Sequence, residues 1–357
     1  MKGLRGICII IGGAIGAGFI SGAELIRFFH TQYFFFPVML SALFFFLQCA
    51  LFLWLGRTHG GYEGALNILF KRAAPAVRAV IVLCAFIPCA GMLAGLDALL
   101  PALKPLLSLT GLLLSAAVLQ RGTGGISFVN LLLVPILLGF VFMCGSGEKA
   151  FYYPLLPEGT TGFFGGALYA GMNAFLLAPV LLDAGRDVKN PVLLSAVAAA
   201  VIALSALTIL GCVYREGAGA LNAEMPFLYV MRGEAVFSVA VALAVMTSLA
   251  SSLYPLMQSC NRFKRRKKYA AKACVLLAAF CISRLGFVGI ISLLYPVLGG
   301  LGLLLSMFCA LNEYLFKQHH KKVHSSGENA ENQRCAHHKI EPEHLPTVHD
   351  EVAQPRP

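Results

Sequence analysis

The stretch "GGAIGAGFISGAE", residues 12–24, places glycines at positions 12, 13, 16 and 18 of an apolar segment that begins at about Leu4. In a helix interior each glycine costs up to about 1 kcal/mol relative to alanine, so the four together weaken a membrane-length helix considerably. Non-helical backbone at membrane depth survives only where protein buries it or where it lines a cavity. The stretch therefore predicts a broken helix inside a membrane protein.

The composition of the whole chain agrees with this class. Of 357 residues, 58% are hydrophobic and 13% are charged, whereas soluble domains carry about 25% charged residues. Each crossing of a bilayer needs roughly 20 apolar residues. The apolar segments indicate ten crossings, over residues 5–29, 35–56, 77–100, 105–120, 125–145, 162–183, 191–213, 235–256, 269–284 and 291–315. We therefore expect an all-α polytopic membrane protein.

The distribution of basic residues predicts the orientation of these crossings. With the N-terminus in the cytoplasm, the 28 lysines and arginines divide into 22 inside and 6 outside, and the run "NRFKRRKKYAAK" at 261–272 lies inside. Cytoplasmic loops carry the excess of positive charge, so both termini are expected in the cytoplasm, with the chain in the cytoplasmic membrane. A basic loop beside anionic lipid explains the net charge, and nucleic acid is not an expected partner.

The composition changes after Phe316. Residues 317–357 have almost no aliphatic content and contain seven of the nine histidines. Such a segment cannot bury enough apolar surface to fold, so we expect a transmembrane domain over 1–316 and a disordered cytoplasmic tail over 317–357. Metal binding by the histidines is the alternative to a solvated tail, although their spacing matches no structural zinc pattern.

An internal repeat links the first and sixth crossings. "GGAIGAG" at 12–18 and "GGALYAG" at 165–171 agree at five of seven positions, and each lies 17–18 residues before the end of its crossing. The sixth crossing comes five crossings after the first, so the two start on opposite sides of the membrane. This predicts two inverted halves, about 5–145 and 162–315, with crossings one and six both broken. Paired interruptions of this kind indicate the central site of a transporter. Glycine faces that let helices pack closely are the alternative.

These features resemble the five-plus-five inverted-repeat transporters with the LeuT fold. More narrowly, "GAGFISGAE" at 16–24 resembles the signature of the YkvI-like bacterial membrane proteins in the amino acid–polyamine–organocation superfamily, in which glutamine stands at the position of Ala23. The resemblance covers about residues 5–316. It implies secondary transport and assigns no substrate.

The resemblance also implies an ion site. In sodium-coupled members, carbonyls of the broken first helix and hydroxyls of the eighth helix bind sodium. The matching groups here are the carbonyls of Gly12, Ile15 and Ala244 and the hydroxyls of Thr247 and Ser248. Alternatively, these hydroxyls bond the carbonyl one turn earlier in their own helix. Some relatives replace the sodium with a lysine of the fifth helix, and the fifth crossing here has none.

The substrate is expected between the two predicted breaks. Backbone N–H groups at a helix start attract an anionic group, so we expect those of the first break to bind a carboxylate of the substrate. Packing is the alternative for any one of these side chains. The candidate residues are Gly16, Ala17 and Gly18 in the first crossing, Tyr169, Ala170, Gly171 and Asn173 in the sixth, and Phe86 and Cys89 as an apolar wall in the third.

Glu24 is an ionisable residue inside the first crossing, and such residues are functional candidates by default. Arg27 lies one turn later, so an intrahelical pair is the simple interpretation. A proton-coupling or gating carboxylate is the alternative. Sodium and protons are both candidate coupling ions, and no other cofactor is expected.

The hypothesis from the sequence is an ion-coupled secondary transporter of a small organic solute, an amino acid or related amine, that works by alternating access. The expected partners are this small molecule and the lipid bilayer, and the oligomeric state is unknown. A ligand-sensing receptor subunit of the same fold, comparable to those of spore germination, is the alternative. No phosphate loop, nucleophile triad or cofactor motif is present, so an enzyme is not expected.

Overall fold

The computed structural model describes residues 2–29, 33–99, 101–145, 161–231, 235–261, 263–285 and 294–338. The chain divides into two compact units, residues 1–310 and 311–357. The regular structure within the described ranges is helical. The first crossing consists of three short helices, α1 (Lys2–Ala14), α2 (Ala17–Ile20) and α3 (Ala23–Phe28).

The other helices follow in chain order, with short 3₁₀ turns between some of them. Between the first crossing and residue 145 they are α4 (Phe35–His59), α5 (Tyr62–Phe70), α6 (Ala74–Leu99), α7 (Leu106–Val118) and α8 (Thr123–Gly145). From residue 161 onward they are α9 (Thr161–Ala184), α10 (Pro191–Glu216), α11 (Ala218–Leu221), α12 (Pro226–Val230), α13 (Ala235–Cys260), α14 (Arg265–Ile282) and α15 (Tyr295–His338).

Seven helical segments in the described residues are long and apolar enough to cross a membrane, and large apolar side chains such as Leu47, Leu83 and Leu204 are exposed on them. The segments are Phe35–His59, Tyr62–Leu99, Thr123–Met143, Phe164–Asp187, Pro191–Glu216, Val241–Cys260 and Tyr295–Gln318. The chain is a membrane protein. Each of the ten predicted crossings overlaps a helix, but the count of ten stays a prediction, because α1, α7 and α14 are not among these segments.

The predicted break in the first crossing is present. The regular helix ends at Ala14, and Gly16 has an extended conformation with φ −102° and ψ −170°. A second interruption follows at Gly22, whose φ of +82° lies in the left-handed region that glycine adopts without a steric penalty. The amide of Phe227, at the start of α12, donates to the carbonyl of Ser21 at 2.7 Å. This bond gives a partner to a carbonyl group next to the second interruption.

The predicted break in the sixth crossing is wrong, because α9 runs without interruption from Thr161 to Ala184. Its glycines instead allow close contact with neighbouring backbones. A Cβ atom at Gly165 would overlap the carbonyl oxygen of Phe28, and one at Gly171 would overlap that of Gly299. The packing interpretation therefore applies to the second glycine patch.

The packing of the first unit encloses the broken crossing. Helix α4 packs extensively against α9 and α10, and α6 packs against α13. Helix α1 contacts α8, α10 and α13, and α2 contacts α6 and α13. The interrupted backbone therefore lies among other helices, as a break at membrane depth requires.

Helix α15 extends to His338, whereas the composition predicts disorder from residue 317. Extending an existing helix adds hydrogen bonds without a new nucleation cost, which gives a physical reason for helix beyond the apolar segment. Residues 339–357, with His344 and His349, lie outside the described residues, as do the side chains from residue 319 onward. Metal binding by the tail stays untested.

The contact between α9 and α15 generates a stability prediction. Gly302→Ala should lower the unfolding temperature of the protein in detergent, since its Cβ would overlap the backbone carbonyl of Gly171, and overpacking costs about 1–3 kcal/mol. Gly300→Ala on the same helix is the matched control, because nothing lies within 4 Å of its Cβ position. Equal unfolding temperatures for the two variants would contradict the close contact.

Candidate functional site

The break between α1 and α2 is buried in the core. Ile15 and Ala17 are fully buried, and Gly16 between them is buried as well. Met92 of α6 contacts the break, where its sulfur accepts a hydrogen bond from the Ala17 amide at 3.4 Å. A Cβ atom at Gly16 would overlap the Met92 methyl group. The absence of a side chain at Gly16 therefore lets α6 approach the broken backbone.

The end of α1 contacts α13 through Ser248. The Ser248 hydroxyl donates to the carbonyl of Gly12 at 3.0 Å and lies 3.4 Å from the carbonyl of Gly13. A Cβ at Gly16 would lie 3.2 Å from the same hydroxyl oxygen. We call this arrangement the α1–α13 contact. It joins residues 236 positions apart at the point where α1 loses its helical hydrogen bonds.

Of the five predicted ion ligands, the structure brings Gly12 and Ser248 into direct contact, and Thr247 precedes Ser248 in α13. The Thr247 hydroxyl donates to the Ala244 carbonyl at 2.8 Å, which is the own-helix bond that the alternative interpretation expects. Ile15 lies in the break itself, and within the described residues its carbonyl has no contact with either hydroxyl. Neutral oxygens of this kind suit a hard monovalent cation, since hard cations prefer oxygen ligands.

Asn130 of α8 also adjoins the end of α1, although it is not among the site residues predicted from the sequence. A Cβ atom at Gly12 would lie 2.6 Å from the Asn130 side-chain amide. The residue is fully buried, and neither its nitrogen nor its oxygen has a hydrogen-bond partner in the described part of the chain. A buried amide without partners is costly, so this position fits a site that binds water or an ion. An asparagine inside the apolar run "ISFVNLLLVP" was the available signal.

A small cavity lies between α1, α4, α9 and α10, and Ala14 at the end of α1 is one of its lining residues. Its volume is about 20 Å³, enough for about one water molecule. Three of the four predicted residues of the sixth crossing line it. The lining includes Ala14, Phe29, Ser41, Tyr169, Ala170 and Asn173. The fourth, Gly171, lies against Gly299 of α15 instead.

The amides at the start of α2 have partners already. The Gly16 amide donates to the Ala14 carbonyl at 3.2 Å, and the Ala17 amide donates to Met92. At Gly18, a Cβ atom would overlap the carboxyl group of Glu24. The predicted binding site for a substrate carboxylate, at Gly16, Ala17 and Gly18, is therefore bordered by a carboxyl group of the protein itself.

Glu24 is buried, with only 2% of its surface exposed, whereas Arg27 on the same helix is exposed. No ion pair between Glu24 and Arg27 is present in the described chain. The simple pair predicted from the sequence is therefore wrong, and the side chain turns toward the core.

The two residues predicted in the third crossing differ in their positions. Cys89 of α6 is fully buried, and so is Tyr295 of α15, whose hydroxyl has no hydrogen-bond partner among the described residues. Phe86, three residues earlier on α6, is half-buried against the core. Tyr295 itself was missed, because a tyrosine at the start of the last crossing carries no signal in the sequence that distinguishes it from an interfacial residue.

No family model matches the chain. In sequence, the chain is similar to the uncharacterized membrane protein YkvI of Bacillus subtilis (strain 168), with 24% identity over 317 residues, which cover 82% of this chain and 90% of that protein. This similarity confirms the resemblance indicated by residues 16–24.

In structure, the chain is similar to MHP1, a nucleobase-cation-symport-1 family transporter solved in a closed conformation with bromovinylhydantoin bound. The TM-score is 0.52 at 13% identity, and the match covers 88% of this chain and 74% of that chain. The chain therefore shares the overall fold of this neighbour. A LeuT-like fold was expected from the resemblance, and the match to MHP1 confirms this class of architecture.

The two buried asparagines of the site generate a paired prediction. Asn130→Ala should leave the unfolding temperature in sodium-free detergent buffer unchanged or raise it, because it removes two polar atoms that have no partner among the described residues. Asn173→Ala makes the same chemical change but removes a hydrogen bond to the Tyr169 carbonyl, so it should cost about 1 kcal/mol. Equal losses in both variants would mean that Asn130 has a bound partner even without sodium.

Proposed function

We propose that the protein is an ion-coupled secondary transporter of a small organic solute, an amino acid or a related amine, which works by alternating access. In this proposal ten crossings form two inverted halves of five, and both termini face the cytoplasm. The observation that carries the proposal is the α1–α13 contact, in which an interrupted helix end inside the core meets a hydroxyl of a distant helix. Such a helix end serves a transporter as a preformed polar site.

The two similar proteins support this proposal at different levels. MHP1 belongs to a cation symport family and was solved with a small organic molecule bound. The shared fold supports the same general activity here, and its substrate does not carry over at 13% identity. The sequence similarity to YkvI relates the chain to another membrane protein and gives no information about the substrate.

The proposed ion is sodium, held by Gly12, Ile15, Ala244, Thr247 and Ser248. In the described structure the hydroxyls of Thr247 and Ser248 each donate to a backbone carbonyl. Their lone pairs and the carbonyl oxygens are the groups that a hard cation binds. Protons are the alternative coupling ion, with Glu24 as the carboxyl group that would carry them.

Alternating access requires contacts that hold one side closed and can be exchanged. Asp183, at the end of α9, is such a centre: it accepts hydrogen bonds from the Tyr62 amide at 2.9 Å and the Tyr254 hydroxyl at 2.5 Å. It also pairs with Arg186 at 3.0 Å. These contacts join α5, α9 and α13 at the side assigned to the cytoplasm, so opening that side requires them to separate.

The opposite end of the molecule has a comparable ion pair. Arg284 binds Asp97 at 2.6 Å and also donates to the Ser108 hydroxyl at 3.1 Å. This pair connects the end of α6 with α7 and with the turn after α14. Rocking of helices would thus exchange polar contacts at the two ends while the break stays at the centre.

Uptake into proteoliposomes tests the proposal. The purified protein is reconstituted, and accumulation of labelled amino acids and amines is followed with an inward sodium gradient, with a proton gradient, and with neither. We expect accumulation above that of protein-free vesicles under one of the gradients. Ligand binding without flux under every gradient would contradict transport and would favour the sensor hypothesis.

Sodium-dependent stability provides a separate prediction. The double variant Thr247→Val, Ser248→Ala should lose the rise in unfolding temperature that sodium causes in the unmodified protein, because two proposed ligands are removed and binding to the folded state is what stabilises it. Ser259→Ala is the matched control, since its hydroxyl donates to the Leu256 carbonyl within α13. A full sodium response in the double variant would show that the ion binds elsewhere.

A further inference from the structure

Two carbonyl groups at the end of α1 have lost their regular helical partners. In an unbroken helix the Gly12 carbonyl would accept from the Gly16 amide, and the Gly13 carbonyl from the Ala17 amide. Here the Gly16 amide donates to the Ala14 carbonyl, and the Ala17 amide donates to a side chain of α6. Carbonyl oxygens at the end of a helix attract positive charge. The end of α1 therefore offers two acceptors that no helical amide occupies.

A single hydroxyl of α13 reaches both of these carbonyls. The Ser248 hydroxyl donates to the Gly12 carbonyl at 3.0 Å and lies 3.4 Å from the Gly13 carbonyl. A hydroxyl has one proton to donate, whereas each carbonyl oxygen has two lone pairs. The α1–α13 contact therefore retains acceptor capacity after this hydrogen bond is made. All of its groups named here are neutral.

Helix α8 packs against both α1 and α13, and it carries a polar side chain at this position. Four apolar residues and Asn130 form a buried stripe of α8 at helical spacing: Ile126, Asn130, Val134, Leu137 and Val141. Asn130 is fully buried, and neither its amide nitrogen nor its amide oxygen has a partner in the described part of the chain. A buried amide without a hydrogen bond is unfavourable. Packing alone therefore gives no reason for an asparagine in this stripe.

Asn130 adjoins the same glycine that Ser248 contacts. A Cβ atom at Gly12 would lie 2.6 Å from both the Cγ and the Nδ2 atom of Asn130, so the absence of a side chain at Gly12 lets the amide approach the end of α1. The terminal torsion of asparagine is broad and nearly two-fold. Rotation of the amide by half a turn would exchange its nitrogen and oxygen without breaking a hydrogen bond to any described residue. Either atom can therefore face α1.

We propose that the amide oxygen of Asn130 is a direct ligand of the cation at the end of α1, so that the ion site joins three helices, α1, α8 and α13. This inference rests on the proposed function and deepens it, because the ligands implied by the family resemblance come from α1 and α13 alone. A cation supplies the partner that the buried amide lacks, and an amide oxygen is a ligand of the same kind as a backbone carbonyl. Water is the competing partner. A water molecule would bind Asn130 with or without sodium, so the two partners differ in their dependence on the ion.

A sodium titration tests this assignment. The unfolding temperature of the full-length protein in detergent is followed while sodium chloride replaces choline chloride at constant ionic strength. Asn130→Leu keeps the approximate shape and removes both polar atoms, so the apparent Kd for sodium should increase by about tenfold or more, as expected for the loss of a contact with a charged group. An unchanged Kd would overturn the inference and assign water as the partner of the amide.

A matched control comes from α7. Ser115 is also fully buried, and its hydroxyl has no partner among the described residues. Ser115→Ala therefore removes a buried polar atom of the same kind at a different place and should leave the apparent Kd for sodium unchanged. A loss in Ser115→Ala equal to that in Asn130→Leu would show a general effect of buried polar groups and would overturn the inference.

Asn130→Asp makes a change of the opposite sign. It keeps the shape and an oxygen ligand and adds negative charge, so the apparent Kd for sodium should decrease. The same variant should have a lower unfolding temperature in choline chloride, because a buried carboxylate without a counter-charge is unfavourable. A Kd for Asn130→Asp as weak as that for Asn130→Leu would contradict direct binding of the ion by this side chain.

This inference and the proposed function fail in different ways. A sodium response that is lost in the double variant Thr247→Val, Ser248→Ala and intact in Asn130→Leu would keep the ion site and overturn the role of Asn130. A response that depends on Asn130, together with no uptake under any gradient, would support the inference and contradict transport. No sodium response in the unmodified protein would overturn the inference and leave protons as the coupling ion. If Asn130→Leu does not fold, Asn130→Ala measures the same contact without filling its space.

Discussion

The fold depends on one requirement: each backbone polar group freed by the interruption of the first crossing must find a partner inside a protein that water does not enter freely. The carbonyl of Gly12 bonds to Ser248, the amide of Ala17 bonds to Met92, and the carbonyl of Ser21 bonds to the Phe227 amide. These partners belong to α13, α6 and α12. The break is therefore stable only when distant parts of the chain have assembled around it, and those parts are held together by it in turn.

The two glycine patches show how far the sequence determines this arrangement. Hydropathy was sufficient to place the apolar helices, and the spacing of glycines was sufficient to place the break near Gly16. The similar patch at 165–171 predicted a second break, yet α9 is continuous. Glycine lowers helix stability and permits close backbone contact at once, so the outcome depends on neighbours. At α9 those neighbours are the backbones of Phe28 and Gly299, which the local sequence does not reveal.

The sequence likewise predicted some residues of the candidate site correctly and missed others. The resemblance pointed to Gly12 and Ser248, which are in contact, and it pointed equally to Ile15, whose carbonyl has no such contact in the described residues. The importance of Asn130 and Tyr295 comes from polar atoms that lack partners in the described part of the chain. A missing partner is a property of three-dimensional surroundings, so residue type alone could only suggest it. The same holds for Glu24, whose expected partner Arg27 is exposed while the carboxyl group is buried.

The position of the proposed ion site bears on how ion binding could be coupled to a change of conformation. Gly12 belongs to α1 and Ser248 to α13, so a cation held by both would fix the end of α1 against a distant helix. Met92 of α6 contacts the start of α2 through the Ala17 amide, on the next segment of the same interruption. Coupling between two ligands requires that both bias the same structural equilibrium. A solute that binds at this interruption would therefore bias the same arrangement of α1 and α2 as the proposed ion, whereas a solute that binds far from it would need another moving part to link the two.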